Sequence, residues 1–196
     1  MSQASQPQQL DGRRLRSERS KKAIIDAALG LMEEGTLVAT AQQIAERAGV
    51  GIRSFFRHFE DMESLSRAID GEIRDSYELL FLGGEREGTL QERVEHAVAH
   101  RAAAYDSLKN IMLSTAAQRW RYEVLRENYA RNQRGLRKDL ENWLPELKRL
   151  PRAQREAVDA VTSFEMWNRL REHQGQGKKA SENIVVHLLR SLMAQK

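Results

Sequence analysis

The apolar positions of this chain recur at intervals of three and four and nowhere alternate as a half-buried strand requires, so the pattern predicts an all-α protein. The first amphipathic run starts at about Ser17 or Ser20 and reaches Glu34. It puts Ile24, Ala27, Ala28, Leu31 and Met32 on one face and stops at Gly35. A short helix is expected after Thr40, because Thr40 and Gln43 make a capping-box pattern. Its inner face is Ile44, Ala45 and Ala48, and Gly49 follows where a left-handed residue commonly ends a helix. A second short helix over about residues 52–58 turns Phe55 and Phe59 inward and leaves Arg53, Ser54, Arg57 and His58 on its other face.

Asp61 can cap the next helix, expected from about Met62 to Leu82, with Leu65, Ile69, Ile73, Tyr77 and Leu80 along one side and Gly83-Gly84 as its stop. Because it leaves the first group of helices with no flexible linker, whatever moves the later part should lever the earlier one. Thr89 and Glu92 form another capping box. The helix they open carries Leu90, Val94, Ala97, Val98, Ala104 and Tyr105 and is expected to end near Asp106 or Ser107. There follow a short helix over Leu108 to Ser114, a long one that Pro145 stops at Leu144, and one opened by Pro151 and reaching about Glu172. The last, about Ala180 to Ala194, carries Ile184, Val185, Leu188, Leu189, Leu192 and Met193 in a broad stripe, which makes about nine helices in all.

Two short helices joined by a tight turn read as a helix–turn–helix, whose second helix enters the major groove while the first crosses the DNA backbone. Gln42, Ile52, Arg53 and Ser54 are the expected base readers, since Arg pairs well with guanine and Gln with adenine. Thr40, Phe56, Arg57 and His58 are expected at the DNA backbone, together with Arg13, Arg14 and Arg16 of a stretch that holds six basic residues and one Glu between Arg13 and Lys22. The plainer alternatives are that Arg53 touches only phosphate and that the basic stretch is a solvated helix start. This divides the chain into a disordered, basic arm (1–16), a helix–turn–helix domain (17–62) and a helical C-terminal domain (63–196), to which the family resemblance given below adds effector binding and dimerisation.

Composition narrows the picture a little. The 196 residues carry a net charge of +4, which permits nucleic-acid binding without requiring it, and the absence of Cys excludes disulfides and thiol chemistry. There is no run of 18 apolar residues and no secretory leader pattern, so no membrane association and a cytoplasmic location are the simplest expectation. His96 and His100, with Glu92 a turn earlier, share one helix face. They lack the Glu beside the first His that metalloprotease helices carry, so no metal and no cofactor are expected. Neither a nucleophile elbow nor a glycine-rich phosphate loop occurs, so an enzyme is not expected.

Thr40, Ile44-Ala45, Ala48-Gly49-Val50, Ser54-Phe55-Phe56, His58-Phe59 and Glu63-Ser64-Leu65 resemble the signature of the tetracycline-repressor (TetR) family, over about Ile24 to Ile69. The chain departs from it at Gly51, where a capping Ser is usual, at Phe56, where a Tyr would offer a hydroxyl to phosphate, and at Met62, where a Lys often does. The resemblance implies a homodimer on a palindromic operator that represses until a small-molecule effector shifts the fourth helix. It also implies a ligand pocket in the C-terminal helices, for which Tyr105, Met112, Trp120 and Phe164 are candidates. Val161, Phe164, Val185, Leu188, Leu189 and Leu192, on the last two long helices, are the expected dimer interface, because the stripe on the last helix is wider than a single contact face requires and small Ala residues on the one before it allow close approach. The alternatives are an activator or ligand-blind regulator, or a helical small-molecule-binding protein or enzyme with a vestigial helix–turn–helix.

Overall fold

The computed structural model describes residues 7–194, with side chains from residue 12 onward. Among the described residues there are nine α-helices and no strand. They are α1 (Pro7–Glu33), α2 (Ala41–Arg47), α3 (Ile52–His58), α4 (Met62–Leu79), α5 (Leu90–Gln118), α6 (Glu123–Trp143), α7 (Arg152–Val161), α8 (Phe164–Asn168) and α9 (Lys178–Ala194). A 3-10 turn, Pro145–Arg149, follows α6, and a turn of π-helix, Arg169–His173, follows α8. The chain forms two compact units. The first takes the chain up to Ile73 together with Asn110–Asn128, and the second takes Arg74–Lys109 and the chain from Tyr129 on.

The core of the first unit is Ile24, Ala28, Ile44, Ala45, Phe55, Phe59, Leu65 and Ile69, with Ile24 and Phe55 fully buried. The three-and-four spacings that predicted α1, α2, α3 and the start of α4 are thus the spacings that close one core. Two of the turns are set by glycines at positive φ. Gly35 (φ 94°) and Gly49 (φ 65°) each follow a helix whose last carbonyls accept a six-to-one and a five-to-two bond: Thr36 N to Leu31 O and Gly35 N to Met32 O after α1, Val50 N to Ala45 O and Gly49 N to Glu46 O after α2. Arg47 closes the corner between these helices with a two-pronged bond to Glu34 at 2.6 and 2.7 Å, its guanidinium lying where a side chain on Gly30 would stand.

The second unit is built on Val94, Ala97, Leu140, Trp143, Leu144, Leu147, Val158, Leu170, Val185 and Leu189. Edge-to-face contacts at 5.7 Å link Phe81 to Tyr105 and Tyr105 to Phe164. Gly84, at φ 79°, passes so close to Trp143 that a Cβ there would stand 2.5 Å from the indole ring.

Four boundaries differ from the sequence expectation, three of them for a visible physical reason. The disorder expected for residues 1–12 falls partly on residues 1–6, outside the described residues. From Pro7 the chain is helical, Pro suiting a first helical position and the following Gln, Leu and Arg being good helix formers. The break expected near Asp106 is absent and α5 runs on to Gln118, because Asp106 turns away from its own backbone to accept from Trp167 Nε1 at 2.9 Å and to pair with Lys178. α4 ends at Leu79, short of Leu82. The helix expected from Pro151 to Glu172 breaks at Thr162-Ser163, where Thr162 bonds back to Val158 O and Ser163 caps the new helix through Met166 N.

Candidate nucleic-acid interface

The first unit holds two short helices in a fixed corner. α2 begins with the reciprocal capping box the sequence announces: Thr40 Oγ1 accepts from Gln43 N at 3.2 Å and Gln43 Oε1 accepts from Thr40 N at 2.9 Å. α3 follows Gly51, whose backbone is extended (φ −70°, ψ 148°) and which offers no side-chain cap to the first amides of the helix. Phe55 and Phe59 anchor α3 from beneath, with ring centroids 5.9 Å apart.

Above that anchor the expected base readers differ in their freedom. Arg53 is exposed and bonds to no other described residue. Ser54 is half-buried and accepts from Arg57 Nη2 at 2.8 Å, so these two neighbours already hold each other. Ile52 packs against the core. Gln42, on α2, is exposed and donates to Glu46 at 2.6 Å. Phe56 leaves 52% of its surface open on the same outer face, edge-on to Phe55.

The expected backbone-contacting residues divide in the same way. The Thr40 hydroxyl is engaged in its own cap. His58 is half-buried, its Nε2 is sealed from solvent without a partner, and burial, with the nearby charges of Arg57 and Lys21, holds its imidazole below the ordinary value. Arg13, Arg14 and Arg16 are exposed along the first turns of α1, Arg14 pairing with Glu18 at 3.0 Å and Arg16 donating to the Gly12 carbonyl at 3.1 Å. Lys21, in the basic stretch but not singled out by its spacing, lies 6.0 Å over the Phe59 ring and so belongs with α3; the signal for it was its place one turn before Ile24 and Ile25.

Further contacts hold the corner. Asp61 caps α4 by accepting from Ser64 N at 2.7 Å, and that bond keeps its carboxyl below the usual carboxylate range. Glu63 accepts from Val124 N at 3.0 Å, which makes it a cap for α6. One face of the end of α5 donates to the last residue of α1 and to the segment that follows it. Asn110 bonds Glu33 O at 2.6 Å, and Ser114 and Gln118 both bond Leu37 O, at 2.9 and 3.1 Å. None of these three was legible as a site, since Asn, Ser and Gln carry no motif.

Of the residues expected to line a ligand pocket, Tyr105 and Phe164 meet edge to face within the second unit and are buried, while Met112 and Trp120 belong to the first unit, where Trp120 leaves 79% of its surface exposed. Of the expected dimer residues, Phe164, Val185 and Leu189 are buried in their own unit, whereas Val161, Leu188 and Leu192 stay partly open. His96 and His100 do not gather a metal set: among the described residues no cluster of three His, Cys, Asp or Glu could hold an ion.

A pair of short helices, the first fixed by its capping box and the second by its aromatic anchor, with a cationic outer face on the second, is the geometry of a helix–turn–helix DNA-binding protein. Residues 24–69 match the model of the family described as bacterial regulatory proteins, tetR family. Three solved structures share the fold. A transcriptional regulator from Rhodococcus sp. Rha1 is 17% identical, with a TM-score of 0.64 over 90% of this chain and 95% of that one. A proposed transcriptional regulator from Streptomyces coelicolor A3(2) is 20% identical, with a TM-score of 0.57 over 90% and 99%. A TetR transcriptional regulator from Rhodococcus sp. RHA1 is 18% identical, with a TM-score of 0.51 over 91% and 98%. No curated protein matches the sequence. Among the described residues no helix is long and apolar enough to cross a membrane.

Proposed function

We propose that the chain is a cytoplasmic, non-enzymatic repressor that binds a palindromic operator as a homodimer and is released by a small-molecule effector taken up among the helices of the second unit. The observation that carries the DNA-binding half is the free guanidinium of Arg53 on a helix that Phe55 and Phe59 fix from below. A side chain with no partner in its own chain, held on a rigid element, loses little on meeting a base edge. Release requires that the effector bind the two forms of the dimer with different affinity. A ligand-blind regulator is the second reading, and one observation favours it: the space beside Tyr105 and Trp167 measures about 20 Å³, against the roughly 300–1,000 Å³ of ordinary ligand pockets.

Operator selection from a random duplex pool, followed by a compound screen on the selected site by fluorescence anisotropy, tests both halves. A single palindromic motif and at least one compound that releases it are expected. Enrichment of no motif, or of one without two-fold symmetry, would remove the repressor reading. Release by no compound would leave the ligand-blind regulator.

A further inference from the structure

Arg101 lies in the middle of α5 and keeps only 4% of its surface exposed. Its Nη1 donates to the carbonyl and hydroxyl of Thr162 at 3.4 and 3.3 Å, at the long edge of the hydrogen-bond range, and its Nη2 donates to the Leu136 carbonyl. The Thr162 carbonyl already serves a nearer donor, the Tyr105 hydroxyl at 2.9 Å, whose phenol burial pushes up and so keeps neutral. Arg101 Nε is buried with no hydrogen-bond partner among the described residues, no carboxylate there pairs with this guanidinium, and the Tyr105 hydroxyl lies beside it. A buried cation without a counter-charge is costly, and a guanidinium cannot escape the cost by losing its proton as a lysine can.

The walls around it are apolar: Val98, Leu140, Val161, Trp167 and Tyr105 line the space of about 20 Å³ that Arg101 borders. One wall is not held in regular helix, because Thr162 and Ser163 fill the break between α7 and α8. A permanent positive charge with an unused N–H edge, set among aliphatic and aromatic side chains beside a break in the helix, is arranged for an anion with an apolar body.

We propose that Arg101 anchors the carboxylate of a small apolar monocarboxylic acid. The carboxylate accepts from the free Nε–H, and the acid's body enters as the Thr162-Ser163 segment yields. This rests on the reading that the second unit takes up an effector, and it names that effector's chemical class.

The test uses the full chain and two isosteric pairs as probes, hexanoate with hexanamide and benzoate with benzamide, titrated by calorimetry and by tryptophan emission. At least one acid should bind ten-fold or more tightly than its amide. Arg101→Gln should abolish that difference, and Arg101→Lys should keep part of it. Equal binding of acid and amide, binding of neither acid, or undiminished acid binding by a folded Arg101→Gln chain overturns the proposal. If Arg101→Gln does not fold by circular dichroism, the acid-to-amide ratio of the wild type decides alone. Operator release, read in parallel, separates the two readings. Neutral compounds that release DNA without preference for acids would sink the anion site and spare the effector reading, whereas acids that bind through Arg101 without changing operator affinity would do the reverse.

Discussion

Arg53 and His58 sit on the same seven-residue helix, and their surroundings give them opposite tasks. Arg53 is exposed and unpaired among the described residues, so its guanidinium is free to take the two acceptors of a guanine. Arg53→Ala should weaken operator binding by about 1–3 kcal/mol and relax preference at one base position. An equal loss on all sequences in a competition assay would leave Arg53 a phosphate contact. His58 is drawn inward, and burial first, then Arg57 and Lys21, lowers its folded value below the ordinary 6.5. A base whose folded value is depressed contributes full stability above its unfolded value, and that contribution is lost as pH falls through 6.5 toward the folded value. The unfolding temperature of the wild type should therefore drop as pH falls below 6.5, and His58→Gln should flatten that drop; identical profiles would show that His58 is not its cause. The outer placing of Arg53 was legible from spacing alone. That of His58 was not, although position 58 lies three residues from buried Phe55 and next to buried Phe59, and so on the border of the apolar face.

Helices were legible where periodicity and caps agreed, as at α2 with its Thr40–Gln43 box, and less so where a polar residue left its local role for a distant partner. Asp106 looked like the end of a helix because Asp favours caps and turns. It stays helical because Trp167 and Lys178 supply the bonds it would otherwise seek from the backbone. Thr162 and Ser163 did the reverse, breaking a run that the apolar pattern carried through. The basic stretch shows a third case. Read as an arm ahead of the first helix, it is part of α1, so Arg13, Arg14 and Arg16 project from helical backbone. Side chains on a helix suit phosphates better than the floor of a minor groove, which an extended arm enters. Replacing all three by Gln should make the slope of log affinity against log salt shallower by about 0.9 for each phosphate that is no longer neutralised. An unchanged slope would show that these arginines are only solvated.

The candidate ligand and dimer residues were the least legible, because an apolar stripe does not say which of its members face a chain's own core. Phe164, Val185 and Leu189 are buried within the second unit and Leu192 packs against the same core, which leaves the open sides of Val161, Leu188 and Leu192 for a partner. α7 and α9 pack on each other, and two such pairs related by a two-fold axis would form a four-helix bundle with the same patch on both subunits. The symmetry is what the DNA would read: recognition helices roughly 34 Å apart meet successive turns of the major groove on one side of a palindrome. Leu188→Glu with Leu192→Glu places like charges against each other across that axis while sparing buried Leu189. The doubly substituted chain should stay helical by circular dichroism, sediment as a monomer, and lose most of its operator affinity, since each half-site would then be bound without its neighbour. A wild-type chain that sediments as a monomer at micromolar concentration and still binds the palindrome tightly would rule out this assembly.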